Sequence, residues 1–106
     1  MAFEINEVVA QMLGAVKTSV KDDWKLVKET ASIFLQSRKD RLELLASLRL
    51  NNEISQKFFL KRLEDEKKIF ESELHAVAII TKAMAQRAAN AALDVLSNAV
   101  SKLIPL

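Results

Sequence analysis

Cysteine is absent from the 106 residues, and glycine and proline occur once each, as Gly14 and Pro105. Without cysteine there is no disulfide framework, no thiolate nucleophile and no thiolate metal site. With one glycine and one proline the chain lacks the turn chemistry that a many-stranded sheet requires. Charge of one sign is also lacking: 16 Lys and Arg stand against 14 Asp and Glu, a net of +2. A balance this even generates no strong long-range field, so nucleic acid is not the default partner. Long hydrophobic runs are missing too. The longest uncharged stretch is Val8–Val16, far short of the ~20 residues needed to span a bilayer. The first basic residue, Lys17, follows Glu4 and Glu7, the reverse of a secretory signal. A soluble, cytoplasmic protein is expected, with export by a signal-free route also open.

What the sequence has is helix-forming material. Half the residues are apolar, too many for a disordered chain, and Ala, Leu, Glu, Lys, Arg and Gln are abundant. Apolar residues recur in steps of three and four: Ile5, Val8, Met12, Val16, Val20, Trp24, Val27, Ala31 and Phe34, then Leu45 and Leu48. A second series runs Phe59, Leu63, Phe70, Leu74, Val77, Ile80, Met84, Ala88, Ala92, Val95 and Ala99. This is the spacing of one helix face. The break between the two series is Asn51-Asn52, since Asn tolerates the left-handed conformation that ends helices and also caps new ones. A weaker break lies at Thr18–Asp23, and Pro105 marks an end.

The predicted fold is therefore all-α, one domain over residues 1–106. It is a long antiparallel, coiled-coil-like helical hairpin with arm one at about 3–50, a turn at 51–52 and arm two at about 53–104. Folding back at the Asn pair brings together residues whose numbers sum to 104. Phe34 then faces Phe70, Leu45 faces Phe59, Val27 faces Val77, and one layer is charged, Arg38 opposite Glu66. Arms of that length would each reach roughly 70–80 Å.

Residues 76–106 are mostly apolar on more than one face, with Leu93, Leu96, Val100 and Ile104 beside the first stripe. Such a helix needs more than one neighbour. The N-terminal segment as far as Val20, folded as a separate short helix, or a second copy of the chain, would supply it. Self-association as a dimer, completing a helical bundle, is the reading adopted. Met84, Ala88, Ala92, Leu93, Leu96, Val100 and Leu103 are the expected oligomer or partner interface.

Catalytic chemistry has little to draw on. His75 is the single histidine, with Glu71 one turn before it, and di-iron carboxylate bundles need Glu-x-x-His from two helices. The carboxylates Glu64, Asp65 and Glu66 interleave with Lys61, Arg62, Lys67 and Lys68, as on a solvated helix face. No phosphate loop, nucleophile elbow or zinc motif is present. No enzyme, cofactor, metal or small-molecule substrate is expected. The expected function is a non-catalytic interaction protein (scaffold, adaptor or small chaperone) that buries helix faces against itself or a helical partner. One alternative is peripheral binding to anionic lipid or a hydrophobic surface. A second is weak nucleic-acid binding through a basic hairpin tip of Arg38, Arg41, Arg49, Lys57, Lys61 and Arg62.

Overall fold

The computed structural model describes residues 3–104, and among them all regular structure is helical. Four helices follow one another: α1 at Ile5–Val20, α2 at Trp24–Leu50, α3 at Gln56–Val77 and α4 at Lys82–Ser101. Pro105, read as an end signal, lies outside the described residues.

Two continuous arms are not what forms. Arm one is cut by a single 3-10 turn at Lys21–Asp23, where Lys21 takes φ 50°. Arm two is cut at Ala78–Thr81. There Ile79 takes φ 58°, and the Thr81 hydroxyl accepts the Met84 N–H at 3.2 Å to start α4. A β-branched residue in the left-handed region is strained, so packing on both sides imposes this break. Each arm thus folds into two helices, and the described body measures 39 × 23 × 22 Å, about half the length of the expected hairpin. The turn at the Asn pair is present but wider than 51–52. Asn52 adopts φ 59°, and α3 starts after Ser55, whose hydroxyl accepts the Phe58 N–H at 3.1 Å. That hydroxyl satisfies one of the first-turn N–H donors of α3.

Each helix packs on its sequence neighbours, and α1 closes the ring against α4 in the most extensive contact of the four. This is an up-down-up-down bundle. Its core draws on all four helices, with Met12 and Val16 from α1, Val27 and Leu35 from α2, Phe59 and Phe70 from α3, and Leu93 and Leu96 from α4, all fully buried. Along α2 and α3 the fold-back register matches two expected pairs. Phe34 stacks on Phe70 with ring centroids 4.4 Å apart, and Arg38 Nε lies 3.6 Å from Glu66 Oε2. The expected Val27–Val77 pair is not a buried one: Val27 is in the core while Val77 is exposed.

Candidate functional site

The α4 stripe expected to meet a partner is already covered. Ala88, Ala92, Leu93, Leu96 and Val100 are at most 1% exposed, and Met84 and Leu103 are half-buried. The correction has a simple physical cause. α4 packs extensively on both α1 and α3, so the wide apolar face is satisfied within the molecule. A shallow cleft of about 380 Å³ remains where the ends of α1 and α4 meet, lined by Glu4, Glu7, Val8, Asn98 and Lys102 among others.

Large apolar side chains reach solvent elsewhere, on the outer face of α2 and α3. Leu26, Ile33 and Leu44 of α2 are 60%, 61% and 58% exposed, and Val77, Phe58 and Ile69 of α3 are 58%, 43% and 39% exposed. A groove of about 610 Å³ runs between the two helices here. Leu26, Glu29, Ile33 and Ser37 form one wall and Ile69, Glu73 and Val77 the other, with Phe34 at the floor. The groove exists because each helix has two apolar stripes. Val27, Ala31 and Phe34 turn inward to the core, which leaves Leu26 and Ile33, each just before a core residue, pointing outward. Leu26 and Leu44 are separated by a whole number of helical turns, so both lie on one line along α2. On α3, Phe58 and Ile69 are separated by close to a whole number of turns and share a line in the same way. Sequence periodicity passes over these residues because one stripe suffices to define each helix. The spacing of Leu26 and Leu44 is the signal that could have found them.

The basic tip is largely tied down within the chain. Arg38 and Arg41 both turn to Glu66, with Arg41 Nε 2.7 Å from Oε1. Arg49 donates to Gln56 Oε1 at 2.8 Å and spans the turn towards Asn52 and the Ile54 carbonyl. Arg62 meets Asp65 at 3.4 Å and lies over the Phe58 ring at 5.3 Å. Lys57 and Lys61 are exposed and form no salt bridge among the described residues. The six cations therefore do not converge on one pocket.

Glu66 is the one buried charged residue among those described, 2% exposed. Neither oxygen accepts a well-directed hydrogen bond from the described residues, although Arg41 is in ion-pair contact. Charge, more than directed bonding, holds this carboxylate. A second polar link joins α3 to α4, where Lys67 Nζ reaches Asp94 at 3.1 Å and Glu64 at 3.2 Å. Partial burial favours its neutral form. The hydrogen bonds and charges of Asp94 and Glu64 outweigh that, and together they hold the ammonium above its ordinary value. His75 Nδ1 lies 2.9 Å from the Ile80 carbonyl and donates to it across the α3–α4 connection.

The described residues hold no group of three or more His, Asp or Glu side chains able to grip a metal ion, and no described helix is long and apolar enough to cross a membrane. Between α2 and α3 lies a groove of mixed polar and apolar lining, and Leu60 and Ile79 are exposed outside it. Neither a protein-family model, nor a curated protein, nor a solved structure matches this chain.

Proposed function

We propose that the protein is a non-catalytic helical interaction protein, a scaffold, adaptor or small chaperone, that works by burying the outer face of α2 and α3 against another helical surface. One observation carries this reading. Of the large apolar side chains that reach solvent, Leu26, Ile33, Ile69 and Val77 line one groove and Leu44 continues the Leu26 line along α2, while Leu60 and Ile79 are exposed outside it. A contiguous apolar strip rimmed by polar residues is how an unfilled protein interface looks from outside. The charged rim of Glu29, Glu73 and Arg38 would set orientation more than affinity.

The absence of cysteine makes the test direct. Ile33→Cys places a thiol in the groove, and Lys28→Cys places one on an exposed position of the same helix outside the groove lining. Both are labelled with a maleimide in intact cells and again after purification and dilution. Protection of the Ile33→Cys thiol in cells, with Lys28→Cys fully labelled, is the expected result. Equal labelling of the two positions in cells would overturn the reading.

A further inference from the structure

On α3 the buried residues Phe59, Leu63, Glu66, Phe70 and Leu74 follow one another in steps of three and four, and Glu66 is the one charge among them. Arg38 interrupts the facing stripe of α2 in the same way. One and two turns either side of it stand Ala31, Phe34, Leu42 and Leu45, all apolar and all buried or half-buried. The two ion pairs on Glu66 are also the only ones among the described residues that cross from α1 and α2 to α3 and α4. Lys67 links α3 to α4 and Lys39 links α2 to α1, so neither spans that seam. The Arg49 bonds to Gln56 and to the Ile54 carbonyl hold only the central turn.

Apolar packing by itself leaves the alignment of the two halves weakly determined. The buried face of α4 is largely alanine, at Ala85, Ala88, Ala89 and Ala92, and side chains this short raise only low ridges. α2 and α3 can slide by a turn and still bury leucine and phenylalanine against each other. The charges do not tolerate it. Slid by one turn, Glu66 lies beside Phe34 or Leu42, and slid by two it lies beside Ala31 or Leu45. We propose that Glu66, held between Arg38 and Arg41, fixes the alignment of the α1–α2 half on the α3–α4 half, selecting one register among several that the apolar residues would accept. A buried polar group in an apolar seam sets register in this way at little gain in stability. A slipped bundle keeps the carboxylate buried and moves its cations about 5 Å away, one helical turn. That disfavours it on the order of a hundredfold or more. The selected register is also the one that brings Ile33 and Ile69 to the same groove. The device concerns how the bundle is aligned and holds whatever the groove binds.

The test measures register directly. Lys28→Cys and Lys57→Cys put spin labels on exposed positions of a chain with no other thiol. By the fold-back register these sites lie roughly 28 Å apart along the seam, so a slip of one turn changes their separation by about 5 Å. Pulsed dipolar electron resonance on the otherwise wild-type chain is expected to give one distance. Glu66→Leu, which completes the apolar stripe, is expected to stay helical by circular dichroism and to give a second distance about 5 Å from the first. Leu35→Ala opens a cavity in the same core and is expected to lower stability while keeping one distance. A single unchanged distance in Glu66→Leu overturns the proposal. So does a second distance in Leu35→Ala, because register would then follow general packing. A Glu66→Leu chain that fails to fold overturns it too, since the carboxylate would then supply stability and not alignment.

Discussion

Glu66 offers a stability experiment whose sign is not obvious. Its carboxylate is 2% exposed, while the Arg41 and Arg38 side chains that face it are 57% and 27% exposed. The pair is therefore asymmetric, an anion that cannot reach solvent and two cations that can. Removing the cations leaves an uncompensated buried charge, which costs about 3–5 kcal/mol. Removing the anion frees two arginines to turn outward, and an apolar side chain of similar volume takes its place. Glu66→Leu is thus expected to change stability by less than about 1 kcal/mol, in either direction. Arg38→Ala/Arg41→Ala is expected to lose about 3 kcal/mol or more. A domain of this size shifts its Tm by about 4–8 °C per kcal/mol. The double arginine variant then melts at least ~12 °C lower, and Glu66→Leu within ~8 °C of wild type. Urea unfolding followed by far-UV circular dichroism, at one pH and salt concentration, gives both free energies from the same fit. The triple variant, lacking all three groups, completes the cycle and is expected to match Glu66→Leu. If the arginine variant loses under about 1 kcal/mol while Glu66→Leu loses more than about 3 kcal/mol, the carboxylate is a net contributor and the desolvation reasoning is wrong.

Two further outcomes follow from the packing. Ala88 is fully buried on α4, where small side chains let the neighbouring helices approach. Ala88→Leu is expected to cost about 1–3 kcal/mol by overpacking, against a change within about 0.5 kcal/mol for the exposed Ala83→Leu, both read from urea midpoints. Lys67 is held above its ordinary pKa of 10.5 in the folded chain. Its link to Asp94 therefore stabilises fully below 10.5 and weakens as pH rises through the folded value. The stability gap between wild type and Asp94→Asn should stay constant well below pH 10.5 and close as pH rises through the raised folded value. A gap that widens at high pH would contradict that sign.

The charged layer was legible because Arg38 and Glu66 lie on two stripes of matched period around a turn that announces itself with two asparagines. The same logic paired Phe34 with Phe70. The break at Ala78–Thr81 was not legible in that way. Ala76–Ile80 reads as an unbroken apolar run, and an isoleucine carries no preference for positive φ. Only the Thr81 hydroxyl, one turn before Met84, hinted at a new N-terminus. That unseen break is also why the α4 stripe is buried within the chain. With two long arms, the apolar width around Ala92 and Leu96 had no cover within one chain. With four helices, α1 and α3 both cover α4, and the large apolar side chains left exposed include Leu26, Ile33 and Ile69 of the α2/α3 groove. Local spacing records which residues are apolar. It does not record which of two apolar stripes the tertiary packing will claim.

The ring closure between α1 and α4 has a kinetic consequence. Three of the four helix pairings join sequence neighbours through short connections, so each forms at a low cost in loop entropy. The fourth joins helices separated along the chain by the whole of α2 and α3, and it is the most extensive of all. It is therefore the contact that the unstructured chain finds last and that holds the finished bundle shut. A perturbation on this seam, at Met12 or Ala92, should appear mainly as faster unfolding. One at Phe34 or Phe70, on the two helices joined by the central turn, should appear mainly as slower folding.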